Sequence, residues 1–216
     1  MQLIVATRNA HKTREFQRIL GLDFAVRDLF DHSEIPETVE RGETFRENAI
    51  LKAIAASKQL RGLVIADDSG LEVDALGGAP GIYSARYGGR NATDKQNIDK
   101  LLGELSRQGV RRKSASSDPN VGRVTSWPSS LSARFRCVIA LAREGELLGT
   151  FDGTVEGRIV QRPRGSRGFG YDPIFVPNGF EQTFAELPAE VKNRISHRAE
   201  AIRALVAKLA ALKPSD

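Results

Sequence analysis

Residues 63–70 of the chain read Leu-Val-Ile-Ala-Asp-Asp-Ser-Gly, an apolar run that ends in two adjacent carboxylates. Four consecutive apolar residues predict a strand that is covered on both faces, as the strands of parallel sheets are. We expect Asp67 and Asp68 to follow this strand, where two carboxylates are costly to bury unless a cation holds them. Mg²⁺ is bound by one or two carboxylates together with phosphate oxygens of a substrate. The alternative is a solvent-exposed turn, because Asp and Gly are common turn residues.

Predicted strands and helices alternate on both sides of this run. Before it we expect strands at residues 2–6 and 24–30 and helices at residues 10–20 and 44–60. The helix at residues 44–60 begins with a capping box, in which Glu47 folds back on Thr44. After it we expect strands at residues 71–75, 135–141, 147–160 and 174–176, and helices at residues 93–105 and 197–212. Early alternation followed by neighbouring antiparallel strands predicts an α/β fold with a mixed sheet. We expect one domain, residues 1–216.

Composition limits the class of protein. Hydrophobic residues make up 40% of the chain and charged residues 27%, which is typical of a globular domain. The longest apolar run, residues 137–142, is too short to cross a bilayer, and the N-terminal residues have no signal-peptide pattern. A single cysteine, Cys137, excludes an intrachain disulfide. We therefore expect a cytoplasmic protein with no membrane partner.

The positive charge is concentrated in one segment. The formal net charge is +5, yet residues 107–136 alone carry +6 and the remainder carries −1. A nucleic-acid-binding surface spreads its basic residues over a folded face, so we expect no specific nucleic-acid partner. The alternative function, in place of an enzyme, is a nucleic-acid-binding module. Residues 106–133 hold eight serines, five basic residues and two prolines, which predicts a flexible basic loop that contributes nothing to catalysis.

Residues 7–12, Thr-Arg-Asn-Ala-His-Lys, join the first predicted strand to the first predicted helix. The backbone N–H groups at the N-terminus of that helix, together with a hydroxyl, an amide and an ammonium group, would suit a phosphate. The chain has no GxxxxGK[ST] pattern, so this segment is not a P-loop. The alternative is that Asn9 only caps the helix and that Lys12 lies in solvent.

Two later segments add further polar groups. Residues 169–173, Phe-Gly-Tyr-Asp-Pro, contain two aromatic rings that can stack on a nucleobase, with core packing as the alternative. Lys192 and residues 196–198, Ser-His-Arg, lie near the start of the last helix, where backbone donors and a cation favour an anion or a carbonyl oxygen. A Ser N-cap with surface charges is the alternative there. Together the four segments predict a nucleotide site, with places for phosphates, a metal ion and a base.

With these segments the sequence resembles the inosine triphosphate pyrophosphatase family, whose members hydrolyse dITP, ITP and XTP to the monophosphate and pyrophosphate. The matching segments follow the family's order over nearly the whole chain, at residues 6–12, 43–49, 66–71, 77–87, 168–175 and 195–198. The resemblance implies an α/β subunit with a mixed central sheet, flanking helices and two lobes around a nucleotide-binding cleft. It also implies a Mg²⁺ requirement and a homodimer. The segment 106–133 is longer than the connection expected in the family.

The resemblance implies roles for residues at matching positions. It makes Asp68 the catalytic carboxylate and a metal ligand, Glu40 a second metal ligand, and Ser69 a contact of the substrate. The residues that would hold the triphosphate are Thr7, Arg8, Asn9, Ala10, His11 and Lys12. Those that would surround the nucleotide and its base are Phe169, Gly170, Tyr171, Asp172, Lys192, His197 and Arg198.

The expected chemistry is attack of water on the α-phosphorus, with pyrophosphate as the leaving group. Discrimination would come from the purine 6-position, where inosine and xanthosine offer an O6 acceptor and adenine offers an amino donor. We expect Arg198 to donate to O6, because an arginine at a helix N-terminus needs an acceptor. Rejection of guanine, which shares O6, requires a further feature near the 2-position. A pyrophosphatase for pyrimidine or methylated nucleotides is the nearest alternative.

Overall fold

Six strands form one sheet in the computed structural model, which describes residues 1–114 and 131–211. The strands are β1 (Gln2–Val5), β2 (Ala25–Asp28), β3 (Val64–Val73), β4 (Ser132–Arg143), β5 (Glu146–Ile159) and β6 (Phe175–Pro177). The helices are α1 (Ala10–Leu20), α2 (Phe45–Ser57), α3 (Asp94–Ser114), α4 (Ala189–Ile195) and α5 (His197–Ala211). Short 3₁₀ turns lie at residues 29–31, 74–76, 81–86 and 172–174.

The sheet has the order β2-β1-β3-β4-β5-β6 and is mixed. β1 pairs in parallel with both β2 and β3, and α1 and α2 lie in the crossover connections that parallel strands need. β5 pairs with β6 in antiparallel fashion. Glu144 and Gly145, which join β4 to β5, have φ values of 53° and 83°, as in a tight hairpin turn. The predicted α/β fold with a mixed sheet is confirmed.

The described residues divide into two compact units. The first comprises residues 1–69, 136–155 and 189–211, and the second comprises residues 70–114, 131–135 and 156–188. In the first unit, alternate residues of β1 belong to different apolar clusters, Leu3 and Val5 to one and Ile4 to the other. Side chains of α1 and α5 complete the first cluster, and Ala56 of α2 belongs to the second. The first unit is therefore a sheet covered by helices on both faces.

Aromatic packing marks the core of the second unit. The ring of Phe175 lies 4.7 Å from that of Phe135 and 5.2 Å from that of Phe184, measured between centroids. All three side chains are buried. Because each ring removes a large apolar area from water, this cluster contributes to the hydrophobic stabilisation of the unit.

β3 runs without interruption from Val64 to Val73, so the prediction that one strand ends before Asp67 and a separate strand follows at residues 71–75 is wrong. The alternative of a solvent-exposed turn at residues 67–70 is wrong as well. Asp67 and Asp68 lie in the middle of the strand and are only 3% and 7% exposed. Asp, Ser and Gly are weak strand formers, which is why the sequence predicted that the strand ends before Asp67. Cationic side chains from other elements hold the two carboxylates inside the fold.

The loop predicted at residues 106–133 is wrong at both ends. α3 continues to Ser114 instead of ending at Leu105, and β4 already begins at Ser132. Residues 115–130 lie outside the described residues. The helix continues because Arg, Gln and Lys are good helix formers and because buried Leu101 and Leu105 already anchor it.

The helix caps agree with the sequence in most details. Thr44 Oγ1 accepts the N–H of Glu47 at 3.1 Å, as the capping box predicts. The carboxylate of Glu47, however, accepts the N–H of Glu43 rather than that of Thr44, at 2.7 Å. α2 ends at Ser57, short of the predicted end, and α4 was not predicted. None of the described helices is both long enough and apolar enough to span a bilayer.

Candidate active site

The loop between β1 and α1 carries the predicted phosphate-binding segment. Asn9 is the N-cap of α1, and its Oδ1 accepts the N–H groups of His11 and Lys12 at 2.9 and 3.3 Å. Thr7 Oγ1 accepts the N–H of Asn9 at 3.1 Å. Capping thus occupies these N–H groups, as the alternative expected, but Lys12 does not lie in solvent. Its Nζ is 3.0 Å from Asp67 Oδ1.

The neighbouring residues of this segment are turned elsewhere. The guanidinium of Arg8 donates to the carbonyl oxygens of His32 and Ile35, and so holds the chain that follows β2. Ala10 and His11 are exposed on the first turn of α1. Of the segment's side chains, Lys12 is therefore the one that the structure brings to the buried carboxylates of β3.

Asp67 is held by side chains from three elements. Lys12 Nζ approaches Oδ1, Arg198 Nη2 of α5 lies 2.7 Å from Oδ2, and Ser69 Oγ donates to Oδ2 at 3.1 Å. Burial opposes ionisation of this carboxyl, but the charges of Lys12 and Arg198 outweigh burial and hold the pKa of Asp67 well below its usual range. Asp67 is therefore an ionised anchor for two cations.

Arg198 is 1% exposed at the second residue of α5. Its Nη2 also donates to Ser69 Oγ at 2.9 Å, and its Nη1 donates to the carboxylate of Glu15 on α1. Lys192 of α4 donates to the same carboxylate at 2.8 Å. The positive charge of Arg198 at the N-terminus of α5 is thus compensated by two carboxylates of the protein, those of Asp67 and Glu15. Donation from Arg198 to a purine O6 stays a prediction.

The charges around Glu15 also set its protonation and that of His197. Burial opposes ionisation of Glu15, but Arg198 and Lys192 lower its pKa to about 2. Burial and the neighbouring guanidinium of Arg198 lower the pKa of His197 well below its ordinary value, so its imidazole is neutral at pH 7. The ring of His197 therefore adds no charge to this cluster.

Replacing Glu15 by Gln should destabilise the protein in a pH-dependent way. Because the pKa of Glu15 in the folded protein, about 2, lies below its ordinary value of 4.5, the ionised carboxylate stabilises the fold above pH 4.5. This contribution is lost as the pH falls from 4.5 toward 2. We expect the difference in unfolding free energy between wild type and Glu15→Gln, measured by urea denaturation, to shrink over that range. A difference independent of pH would contradict the assignment.

Asp68 belongs to a second charge cluster, on the opposite face of β3 from Asp67, since successive strand residues point to opposite faces. Nζ of Lys52, on α2, lies 2.9 Å from both Asp68 Oδ1 and Glu40 Oε1. Asn48 Nδ2 lies 3.4 Å from Asp68 Oδ2. Burial raises the pKa of Asp68 above its usual range, although Lys52 opposes that rise. A carboxylate with a raised pKa is a better proton acceptor than an exposed one.

Glu40 and Asp68 have the chemistry of a magnesium site. Among residues 1–114 and 131–211, no three carboxylate, histidine or cysteine groups are arranged around a common metal position. Both predicted ligands nevertheless face one cationic group, the ammonium of Lys52. Mg²⁺ commonly takes one or two carboxylates and completes its shell with water and substrate phosphate oxygens. The two carboxylates therefore fit the predicted metal ion.

The residues predicted to surround the base, Phe169 to Asp172, lie on one loop of the second unit. The N–H of Phe169 donates to Asp172 Oδ2 at 2.9 Å, and that of Gly170 donates to Asp94 Oδ2 at 2.7 Å. Tyr171 is 3% exposed, which agrees with the core-packing alternative, and Asp172 is 2% exposed. Phe169 is half-buried and is the more accessible of the two aromatic rings.

Substituting Gly168 by Ala should distort this loop. Gly168 has a φ of +75°, and a Cβ there would lie 1.9 Å from Asp172 Oδ2, so the carboxylate that accepts the Phe169 N–H would be displaced. Gly170 is a matched control, with a φ of +61° but no atom within 4 Å of its Cβ position. We expect Gly170→Ala to cost about 1–2 kcal/mol from backbone strain alone. Gly168→Ala should cost more in urea denaturation, and equal costs would contradict the predicted displacement.

In the first unit the structure brings the predicted residues into two networks on opposite faces of β3, one around Asp67 and the other around Asp68. One joins Lys12, Ser69, Lys192 and Arg198. The other joins Glu40 and Asp68 through Lys52. Thr7 and Asn9 act in the cap of α1, whereas Arg8 turns away from both networks.

Three members of these networks were missed in the sequence: Glu15, Asn48 and Lys52. Each had a local signal, since Glu15 lies three residues after Lys12 and Lys52 lies four residues after Asn48, so each pair shares a helix face. Only the tertiary structure shows what these faces meet. Glu15 was overlooked because its partners, Lys192 and Arg198, come from the other end of the chain.

The chain is similar to known proteins in sequence and in fold. The model of the Ham1 family matches residues 3–208. A dITP/XTP pyrophosphatase of Shouchella clausii is 47% identical over 204 residues, which cover 94% of each chain. The solved Ham1 protein of Staphylococcus aureus is 41% identical, with a TM-score of 0.77, covering 99% of this chain and 100% of that one. A HAM1 protein from Coxiella burnetii is 39% identical, with a TM-score of 0.80, covering 98% and 99%.

Proposed function

The chain belongs to the Ham1 family, and from this membership we propose that it is a nucleoside triphosphate pyrophosphatase. We propose as its reaction the hydrolysis of dITP, ITP and XTP to the monophosphate and pyrophosphate, which would remove deaminated purines from the nucleotide pool. Relatives 47% and 44% identical to this chain are named dITP/XTP pyrophosphatase. The single structural observation that supports the proposal most is the pair of buried carboxylates in β3, each held by cations.

In the proposed reaction the oxygen of a water molecule bonds to the α-phosphorus, and the bond from that phosphorus to the bridging oxygen of the β-phosphate breaks. Asp68 orients the water and accepts its proton, a role that its raised pKa favours. When bound by Glu40 and Asp68, Mg²⁺ would supply positive charge to the phosphate oxygens. Lys12 and Lys52 would offset the negative charge that builds up on the leaving pyrophosphate.

Asp67 acts differently from Asp68 in this proposal. It is ionised and bonded to Arg198 and Ser69, so it orients the cations rather than accepting a proton. Its ion pair with Lys12 keeps that ammonium at the start of α1, next to the segment proposed to hold the triphosphate. Two adjacent carboxylates would thus have separate tasks because their environments shift their pKa values in opposite directions.

Selectivity is proposed to come from a donor that faces O6 of the purine, supplied by Arg198, with Lys192 and His197 beside the nucleotide. A site that pairs its donors with O6 leaves them opposed to the amino group of adenine, a mismatch that can cost several powers of ten in kcat/KM. Contacts of the base with Phe169, Gly170, Tyr171 and Asp172 are part of the same proposal. We also propose that the protein is a homodimer and that it is located in the cytoplasm. Light scattering of the purified protein tests the homodimer.

A nucleotide panel tests the proposed function. Purified protein with Mg²⁺ is given dITP, XTP, dGTP, dATP, dUTP and dTTP in turn, and released pyrophosphate and orthophosphate are measured separately. We expect pyrophosphate from dITP and XTP with far higher kcat/KM than from the others. Protein carrying Asp68→Asn, prepared in the same way, controls for contaminating phosphatases. Preference for dUTP or dTTP would favour the alternative substrate class.

A further inference from the structure

Asn48 is a fully buried side chain whose amide oxygen and amide nitrogen bond to two different elements next to the second charge cluster. It lies on the first turn of α2 and is 0% exposed. Its Oδ1 accepts the N–H of Gly42 at 2.8 Å, and its Nδ2 faces Asp68 Oδ2 at 3.4 Å. Gly42 lies two residues after Glu40. One side chain therefore bonds both the segment that carries Glu40 and the carboxylate of Asp68.

The segment at Gly42 is packed directly against Asn48. A Cβ at Gly42 would lie 2.8 Å from Asn48 Oδ1 and 2.6 Å from Glu47 Cβ, so the backbone approaches α2 more closely than a residue with a side chain could. A buried amide that loses one partner leaves a polar group unsatisfied, which is costly. The position of this segment, and with it that of Glu40, is thus determined in part by Asn48.

The two oxygens of Asp68 have different neighbours. Oδ1 pairs with the ammonium of Lys52, whereas Oδ2 faces the neutral amide of Asn48. A neutral donor orients a carboxylate with much less electrostatic effect on its basicity than a second cation would have. Asn48 can therefore set the plane of the Asp68 carboxylate while leaving it able to bind a metal ion or accept a proton.

We propose that Asn48 is a positioning residue that fixes the carboxylates of Glu40 and Asp68 relative to each other for metal binding and catalysis. The proposal rests on the proposed function for the roles of the two carboxylates. Residues that orient metal ligands from behind typically contribute about 10- to 100-fold to metal affinity or activity. Asn48 does not touch the substrate in this assignment and acts only through Glu40 and Asp68.

The chain offers a matched control in Asn97 on α3. This asparagine is 3% exposed, its Oδ1 accepts the N–H of Gly88 at 2.7 Å, and its Nδ2 donates to the carbonyl of Ala85 at 3.2 Å. Like Asn48 it is buried and accepts the N–H of a glycine, but its amide donates to a backbone carbonyl and not to a carboxylate. Asn97→Ala therefore reproduces the structural cost of losing such an amide.

The test compares Asn48→Ala with Asn97→Ala. We expect Asn48→Ala to lower kcat for dITP about 10- to 100-fold with KM changed by less than about threefold, and to raise the Mg²⁺ concentration that gives the half-maximal rate. Hydrogen–deuterium exchange of the peptide covering residues 38–44 should become faster in this variant. Asn97→Ala should lower Tm by a similar amount and leave kcat and that peptide unchanged. Equal kinetics in the two variants would overturn the proposal.

A second substitution of Asn48 and a direct measurement of metal affinity test the same proposal independently. Asn48→Asp keeps an acceptor for the N–H of Gly42 but turns a carboxylate toward Asp68. We expect its kcat to be lower than that of the wild type, and this variant can be measured even if Asn48→Ala does not fold. A normal kcat in Asn48→Asp would overturn the proposal. Mn²⁺ affinity, measured by electron paramagnetic resonance without nucleotide, should be weaker in Asn48→Ala than in Asn97→Ala by about tenfold. If the wild type hydrolyses no nucleotide, the proposed function fails, and equal Mn²⁺ affinities would overturn the role of Asn48 separately.

Discussion

Replacing Asp68 by Asn should lower kcat for dITP about 10²-fold or more with the fold intact, because the variant keeps the shape of the side chain but loses the basic oxygen. The new NH₂ group then takes the place of Oδ2 and faces the NH₂ group of Asn48. The amide oxygen can still accept the hydrogen bond from Lys52 that now reaches Oδ1. It cannot accept a proton from water, and it is a poorer ligand for Mg²⁺ than a carboxylate. Steady-state kinetics with dITP and a thermal melt measure activity and folding side by side.

The split between kcat and KM distinguishes the roles of the carboxylates. If Asp68 acts mainly on water and metal, kcat should fall far more than KM rises. Asp67→Asn is the matched comparison. Because Asp67 pairs with Arg198 and Lys12, we expect this substitution to lower the unfolding free energy more than it lowers kcat. Near-normal turnover by Asp68→Asn would contradict the assignment and move the catalytic role to Asp67 or Glu40.

The second large effect concerns the buried guanidinium of Arg198. Replacing Arg198 by Met should destabilise the protein by about 3–5 kcal/mol, because it leaves Asp67 and Glu15 buried beside too little positive charge. The side chain of Arg198 is 1% exposed, so water cannot take over its hydrogen bonds. Urea denaturation at pH 7 gives the change in unfolding free energy.

A surface arginine with a similar set of partners provides the control. Arg46 donates to Thr150 Oγ1 and Asp152 Oδ2, but its side chain is 51% exposed, and an exposed pair is worth about 0–1 kcal/mol. We expect Arg46→Met to change stability by no more than that amount. A cost below about 1 kcal/mol for Arg198→Met as well would contradict the view of Arg198 as the centre of a buried network.

Elements with a local cause could be predicted from the sequence. The caps at Asn9 and Thr44 need only a short polar side chain before a helix, and both form as expected. Buried strands such as β3 begin with an uninterrupted apolar run, which the sequence also reveals. The mixed sheet followed from the alternation of elements in the first half of the chain and the neighbouring strands in the second.

Features that depend on distant residues could not be predicted in this way. Asp67 and Asp68 look like a turn until Lys12, Lys52 and Arg198 supply the charges that keep them in a strand. The pairing of Arg198 with Glu15 joins residues that are 183 positions apart. No local pattern encodes such a contact, so the partners of the candidate site residues became visible only in the fold.

Hydrolysis of dITP in ¹⁸O-enriched water, with both products identified by mass spectrometry, shows which phosphorus atom the water attacks. Attack of water on the α-phosphorus places the solvent oxygen in the monophosphate. We expect dIMP that carries one solvent ¹⁸O and pyrophosphate that carries none. Label in the pyrophosphate, or release of orthophosphate with dIDP, would contradict attack on the α-phosphorus.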